Sequence, residues 1–329
     1  MRESTTLTVA VIIVNYGTAA LAADAVDSVL SVHDASTEIE VHLVDNASPG
    51  EDARHLTEHA EKHGWGDRVR LWLETRNHGF GEGNNIVLRA LADRQAPPDY
   101  VFLLNPDATM ENDAVAYLTA ALDADPKVAA AGAAIRGADG EPAVAAFRFP
   151  GFVSEVTRVI DFGPLARLFK GRRVALGAVL PHGAVDWVSG AAVMFRFRAL
   201  EEIGFFDPGF FLYYEEVDLM RRLRAAGWRV LHVPEAQVMH HAGIATGISG
   251  QDNARRRNPP YLYHSWALYF SKSFGRGKAL FLALALFPAG GLNVLQSRLR
   301  GRAPSLPQKF FRDHWSLVVR SLIEKRNAS

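Results

Sequence analysis

Leu7-Thr-Val-Ala-Val-Ile-Ile-Val14, running directly into Asn15-Tyr16, decides the fold class of this chain. An unbroken β-branched and apolar run lacks the alternation of a half-exposed strand, so both of its faces must be covered. Outward from it, a helix pattern runs from about Ala19 to Val32, and Ile39-Glu-Val-His-Leu-Val44 reads as a second strand. The alternation continues with a helix from about Glu51 to His63, a strand at Val69–Leu73 and a glycine-rich turn opening a helix to about Ala92. A strand at Tyr100–Leu104 and a helix from about Asn112 to Ala124 follow. This order predicts an α/β fold, a mostly parallel sheet with helices on both faces. Such sheets bind ligands in the crevice at the carboxyl ends of their strands. Asn15-Tyr16, Asp45-Asn46 and Asn105-Pro106-Asp107 fall there. Singly, Asn and Asp are ordinary turn residues; their recurrence at strand ends marks the crevice.

Farther along, residues 137–185 read as irregular. Val185–Phe195 is a strand broken by small residues, and the aromatic stretch from Phe205 enters a helix that Gly227 should end. On that helix Leu219, Leu223 and Ala226 form the inward stripe, with Arg221 and Arg224 outward. Val230–Val233 is a short strand leading to Met239-His-His. The expected division is an α/β domain with the ligand crevice over residues 1–250 and a helical, basic appendage over 251–329.

The 329 residues are 48% hydrophobic and 22% charged, as a folded domain with a sizeable core requires. With no cysteine, disulfides, thiolate metal sites and a cysteine nucleophile are excluded. Met1–Thr8 is polar and lacks the apolar core of a signal peptide, so no secretion is expected. The formal net charge is zero, but from Arg255 onward fourteen basic residues face only Asp313 and Glu324. That asymmetry suggests an anionic partner for the tail; a merely solvated basic face is the alternative. No nucleic-acid partner is expected, and a homo-oligomer stays open. Within the tail lies the apolar run Ala279–Leu295, interrupted by Pro288 and a glycine pair, marginal for a membrane span. Cations bracket it, and so do aromatics: Tyr261, Tyr263, Trp266, Tyr269 and Phe270 before, Phe310, Phe311 and Trp315 after. An anchor lying in the membrane interface has this make-up; a buried helical hairpin or a dimer contact is the competing reading.

Asp107 follows a buried strand directly, placing a carboxylate where a hard divalent cation (Mn²⁺ or Mg²⁺) carrying a diphosphate would sit. The competing role is N-cap of the helix near Asn112. Glu215-Glu216 and Asp218 open a helix, where the dipole alone favours acids, yet three in four residues exceed what capping needs. Glu216, beside the inward stripe, would be desolvated enough to take a proton from an acceptor hydroxyl. His240 and His241 are adjacent, so in an extended segment one faces the site and can complete a metal shell. The glycines at 79, 81 and 83 do not spell a dinucleotide fingerprint and follow the third strand, which argues against a dehydrogenase. A sugar nucleotidyltransferase would need a Gly-rich, Arg-containing loop after the first strand, and Asn15-Tyr16-Gly17-Thr18 is not one.

In order across about residues 8 to 245 stand Val14-Asn15-Tyr16, Asp45-Asn46-Ala47-Ser48, Asn77-His-Gly-Phe-Gly-Glu-Gly-Asn-Asn85, Asn105-Pro106-Asp107, Trp187-Val-Ser-Gly-Ala191, Phe206–Leu219 and His240-His241. On this series the chain resembles inverting glycosyltransferases of family 2, with the nucleotide-binding, Rossmann-like GT-A fold. It is most similar to the rhamnosyltransferase-like branch that builds bacterial cell-surface polysaccharides. The resemblance implies that Asp45, with Asn15, holds the base and ribose. Asn77, Gly79, Phe80 and Asn85 would line the donor pocket, together with Tyr16, Asn46 and Asn105. Asp107 would bind the metal, with His240 as a further ligand. Trp187, Ser189, Gly190 and Glu215 would shape the sugar and acceptor site, and Glu216 falls at the general base. Many relatives carry Asp-x-Asp where this chain has Asn105-Pro106-Asp107, a variant of this branch with one fewer carboxylate. The family's base is usually the Asp of a Glu-Asp pair; here the pair is Glu215-Glu216, which leaves Asp218 as second choice. The implied reaction moves L-rhamnose from a dTDP donor to a lipid-linked or polysaccharide acceptor. Galactofuranosyl, mannosyl or glucosyl transfer from UDP or GDP, or a non-catalytic nucleotide-sugar-binding scaffold, are the alternatives. The implied place is the cytoplasm, peripheral at the inner face of the cell membrane, against an anionic surface.

Overall fold

The computed structural model describes residues 6–31, 37–241 and 256–324; the first five residues of the polar amino terminus and the stretch after His241 fall outside them. The chain forms two compact units, Met1–Phe147 with Ala175–Pro208 and Glu216–Gly247, and Arg148–Val174 with Gly209–Glu215 and Ile248–Ser329. In chain order the elements are β1 (Leu7–Asn15), α1 (Ala19–Ser31), β2 (Thr37–Asp45), α2 (Asp52–Lys62), β3 (Val69–Leu73), α3 (Phe80–Ala92), β4 (Tyr100–Leu104), β5 (Ala108–Met110) and α4 (Ala114–Asp123). Next come β6 (Val128–Arg136), β7 (Pro142–Ala143), β8 (Ala146–Phe147), α5 (Phe152–Ile160), α6 (Gly163–Leu168), β9 (Gly183–Val185), β10 (Trp187–Val188) and β11 (Ala192–Arg196). The last are α7 (Phe197–Ile203), α8 (Glu215–Ala225), β12 (Arg229–His240), α9 (Pro260–Phe274), α10 (Arg276–Leu299), α11 (Phe310–Asp313) and α12 (Arg320–Ile323).

The first unit is built on a mixed sheet of order β3-β2-β1-β4-β11-β6-β12-β5, with β7 beside β6 and β9 beside β12. As expected from its unbroken apolar run, β1 is buried from Val9 to Asn15. Each fully buried aliphatic side chain there contributes about 1.5–3 kcal/mol. Parallel pairing of β1 with β2 sets Asn15 beside Asp45. The sheet is less uniformly parallel than the alternating pattern suggests, because β11 runs antiparallel to both β4 and β6. β6 carried no strand signal: Val-Ala-Ala-Ala-Gly-Ala-Ala-Ile-Arg lacks β-branched bulk through its middle. The structure explains the small residues, since a Cβ on Gly132 would stand 2.5 Å from Cβ of Val188. A register shift between Val233 and Gln237 bends β12, which then pairs antiparallel with β5 and sets His240 opposite Ala108. A bulge is how a strand re-aims its end. Gly227 ends α8 with φ +92°, and Leu219 and Leu223 are buried. Ala226, expected on that inward stripe, is exposed, because it lies past the last helical residue.

The second unit is helical, and residues 148–174, read as irregular from sequence, contribute α5 and α6 to it. Pro288 and the glycine pair do not interrupt α10, which runs 24 residues. Gly290 shows why: a Cβ there would stand 3.0 Å from the rings of Phe310 and Phe311, so the helix needs a small residue at that crossing. By length and composition α10 could cross a bilayer, although 39% of its most apolar window is buried against the unit itself. Of the aromatics before it, Tyr261 is half-buried and the rest pack inside the unit. Tyr263, Trp266, Tyr269 and Phe270 are all buried, whereas Phe281, Leu292, Leu295, Leu299 and Trp315 are exposed.

Candidate functional site

The carboxyl ends of the first unit's strands hold four groups of side chains. At the end of β1 the Asn15 amide donates to Asp45 Oδ1 at 3.0 Å, Ser48 Oγ at 3.1 Å and Asp52 Oδ2 at 3.1 Å. Its carbonyl oxygen accepts from the Thr18 backbone N–H at 3.1 Å and hydroxyl at 2.8 Å. Asn15 is therefore a hub that ties β1 to the β2 loop and to the start of α1, and Asp45 is presented by it. Asp52, which also accepts the Ala19 N–H at 3.0 Å, escaped the sequence reading. An acid in the first turn of a helix looks like ordinary dipole compensation. Tyr16, next along, is exposed.

A second group is built on Asn46. Its amide reaches the Asn77 side-chain oxygen at 3.2 Å and the Gly79 carbonyl at 3.0 Å, and its oxygen takes the His78 N–H at 3.0 Å. The glycine-rich turn is thus held by side chains, and its glycines serve packing. A Cβ on Gly83 would meet Val14 Cγ1 at 3.0 Å, and one on Gly81 would meet Phe206 Cβ at 3.1 Å. Only Gly79 is there for its backbone, at φ +78°. Asn85 commits both ends of its amide to the Phe206 backbone, donating to the carbonyl at 2.9 Å and accepting the N–H at 3.0 Å. It fastens α3 to the chain entering the aromatic stretch.

The third group contains the metal candidates. Nε2 of His240 lies 3.0 Å from Asp107 Oδ1 and 3.3 Å from Asn105 Nδ2. Asp107 is 3% exposed. The N-cap of α4 is Asp113, whose side chain accepts the Ala116 N–H, so Asp107 is not used as a cap. Its own carbonyl accepts the His241 N–H at 2.9 Å, which pins β12 alongside. Among the described residues no group of three or more His, Asp or Glu is placed to hold a metal ion. Asp107 and His240 stand as a pair.

The fourth group is carried by α8. The Asn105 N–H donates to the Ala191 carbonyl at 2.9 Å, and one residue back Gly190 lies against the Phe80 ring and Cβ of Glu216. Gly190, Phe80 and Glu216 are therefore neighbours, next to the Asn105–Asp107 loop. Oε2 of Glu216 is buried and has no hydrogen-bond partner. Burial pushes its carboxyl above the usual range; the N–H groups of Glu216 and Val217 pull the other way and do not cancel it. Asp218 is differently placed: it accepts from Arg222 Nε at 2.8 Å, while the rest of that guanidinium holds the Ile203 and Phe205 carbonyls. Glu215 is buried and counts with the second unit. Just before α8, Tyr213 and Tyr214 both have positive φ, at 68° and 70°. Left-handed backbone at bulky residues costs on the order of 1–3 kcal/mol each and collects at functional sites. Trp187 is largely covered and stacks on Phe147, centroids 4.0 Å apart. Ser189 donates its N–H to Ala145 at 2.8 Å.

Comparison with known proteins places the chain in a family. The family described as Glycosyltransferase like family 2 matches residues 7–258. An N-acetylglucosaminyl-diphospho-decaprenol L-rhamnosyltransferase of Mycobacterium tuberculosis is 28% identical over 190 residues, covering 54% of this chain and 61% of that protein. Rhamnosyltransferase WbbL of Escherichia coli is 28% identical over 179 residues, covering 50% and 61% respectively. The chain thus spans about six-tenths of the length of the curated relatives it matches. Among solved structures, mannosyltransferase PcManGT from Pyrobaculum calidifontis in complex with GDP-Man and Mn²⁺ superposes with a TM-score of 0.55. It is 19% identical and covers 90% of this chain and 76% of that one. That likeness shows the fold to be the GT-A type expected from the sequence. With the match extending over most of its length, this chain belongs to Glycosyltransferase like family 2.

Proposed function

We propose that the chain is an inverting glycosyltransferase that moves a sugar, L-rhamnose from a dTDP donor, onto a hydroxyl of a lipid-linked or polysaccharide acceptor. The observation that carries this reading is the presence, at one end of one sheet, of an Asp107–His240 couple and of the buried Glu216 carboxyl, whose Oε2 has no hydrogen-bond partner. The relatives named as rhamnosyltransferases support the choice of sugar.

Asp45, held by Asn15 and Ser48, is the acceptor that the base and ribose of a nucleotide need. Asp107 and His240 would hold a divalent cation: a carboxylate oxygen and an imidazole nitrogen 3.0 Å apart suit Mn²⁺ or Mg²⁺, with diphosphate oxygens and water completing the shell. Bound there, the ion supplies charge neutralisation to the departing nucleoside diphosphate. A neighbour solved with Mn²⁺ agrees with that assignment. Glu216 takes the proton from the acceptor hydroxyl as its oxygen forms the new bond to the anomeric carbon. The bond from that carbon to the diphosphate breaks at the same time, and its electron pair leaves with the nucleotide. A carboxylate whose pKa is raised by burial is a stronger base than a solvated one. Asp218, neutralised by Arg222, is the positioning group of the pair and not the base.

A thermal-shift titration with dTDP, UDP and GDP, each with and without Mn²⁺, tests the donor site beside Asp107→Ala. A ligand at about 100 times its Kd adds roughly 2.7 kcal/mol of stability. A metal-dependent shift for dTDP, absent in Asp107→Ala, is expected. If no nucleotide shifts the protein, the donor-site reading falls and only the likeness of fold remains.

On the second unit, the exposed Phe281, Leu292, Leu295 and Leu299 of α10 stand among Arg298, Arg300 and Arg302. We assign this face to an anionic membrane surface, with the protein peripheral on the cytoplasmic side.

A further inference from the structure

Within the second unit lies a cavity of about 330 Å³, lined on its apolar side by Leu262, Trp266, Leu286, Leu306 and Phe310. Its polar lining consists of Arg158, Tyr263, Asn258, Ser305 and His314, with Tyr214 and others completing the wall. Arg158, Tyr263 and Ser305 each have a hydrogen to give there, whereas His314 already gives its Nε2–H to the Ala283 carbonyl at 3.0 Å. Arg158 gives Nε and Nη2 to Glu155, at 3.3 and 2.7 Å, and its Nη1 has no partner among the described residues. The Arg158 side chain is 62% exposed while that of Glu155 is 3% exposed. The ion pair is therefore an oriented dipole with its positive end outward. Glu155 is further fixed from behind by the Trp266 indole N–H at 2.9 Å. The Ser305 oxygen accepts from Asn293 at 2.8 Å, which leaves its hydrogen to give. The Tyr263 hydroxyl is buried with no partner, in a residue 6% exposed. A buried donor without an acceptor is costly, and here it borders a cavity that a ligand can enter.

We propose that this cavity binds the phosphate head and the first carbons of an amphiphile, the phosphate on Arg158 and Tyr263 and the chain against Leu262, Leu286 and Phe310. A neutral sugar would leave the Arg158 charge unmatched and the apolar wall uncovered. A free inorganic anion would leave the apolar wall uncovered. Burial, and after it the nearby Asp313, holds the Tyr263 hydroxyl up at about 12, so it is a donor throughout the neutral range. The ligand class follows from this cavity's own walls and stands whether or not the first unit transfers sugar. Two sources share the chemistry, an isoprenoid phosphate carrying an acceptor and a membrane phospholipid.

Calorimetric titration of the full chain with octyl phosphate, octyl glucoside and inorganic phosphate tests it, all below micelle formation. Saturable one-to-one binding of octyl phosphate is expected, at least tenfold tighter than either control. Tyr263→Phe removes only a hydroxyl that no protein group uses, so its Tm should be unchanged while affinity falls about tenfold, the loss of one hydrogen bond to a charged group. Leu262→Trp fills the cavity and should abolish binding. Geranyl diphosphate and dihexanoyl phosphatidylglycerol then separate the sources, the tighter of the two naming the natural one. Equal binding of octyl phosphate and octyl glucoside, or wild-type affinity in both variants, overturns the proposal. The dTDP shift, read in the same samples, reports on the donor site separately.

Discussion

Glu216→Gln probes the proposed chemistry most sharply, because the structure demands opposite effects on rate and on stability. Glutamine keeps the size of the side chain but cannot accept a proton. A positioned general base contributes roughly 10²–10⁴ to the rate, so kcat should fall by that factor, about 3–5 kcal/mol in the barrier. Donor affinity, measured by nucleotide titration, should stay within about twofold. Stability moves the other way. Burial raises the folded-state pKa of Glu216 above the ordinary value of 4.5. As pH rises past that value the unfolded chain ionises first, so the wild type loses up to about 1.36 kcal/mol per pH unit until the folded carboxyl also ionises. Below about pH 4 both states are protonated and the term vanishes. The glutamine variant lacks it, so its Tm relative to wild type should climb with pH above the usual glutamate range and be level below it. The same raised pKa should place the acid limb of the wild-type rate profile above that range. Asp218→Asn is the contrast: breaking the pair with Arg222 should cost about 3 kcal/mol of stability, with a smaller loss of kcat per folded molecule. A larger kcat defect in Asp218→Asn than in Glu216→Gln, or a glutamine variant within threefold of wild-type kcat, would refute the assignment.

Three further outcomes follow from the packing. Asn85→Ala should cost roughly 1–3 kcal/mol, because it strands the Phe206 N–H and carbonyl in the interior; dTDP affinity of the folded protein, by titration, should change little. Gly132→Ala should destabilise by at least about 1–3 kcal/mol in urea unfolding, since its Cβ would press on the Val188 Cβ at 2.5 Å, an atom next to the backbone. Co-sedimentation with anionic vesicles should be strong at low salt and weaken toward 0.5 M, roughly, as screening shortens; Phe281→Ser with Leu295→Ser should weaken it at every salt concentration, and equal pelleting with neutral vesicles speaks against the basic fringe.

Much of the first half was legible because its physics is local. A strand covered on both faces must read as a continuous apolar run, and Val9–Val14 does; an amphipathic period marks each covering helix. The polar residues at the ends of β1, β2 and β4 could be placed in a crevice from strand direction alone. What local pattern could not supply was β6. Gly132 is dictated by Val188, which lies far off in the chain, and a close contact leaves only smallness in the sequence. Nor could local pattern supply the burial of Glu155 on α5, which rests on Arg158 and on Trp266, a partner more than a hundred residues away.

The sequence by itself determined the α/β class, the strand-end positions of Asn15, Asp45, Asn105 and Asp107, and the acids at the start of α8, since all of these depend on order and periodicity along one segment. Only the tertiary structure decided which acid is free and which is paired: Glu216 and Asp218 are two residues apart, and Arg222 neutralises just one of them. It also decided that Asn85 holds backbone and that His240 meets Asp107, through a bulge in β12 that no local pattern announces. Side-chain roles of this kind are set by partners distant in the chain, and burial and charge pairing exist only once those partners have come together.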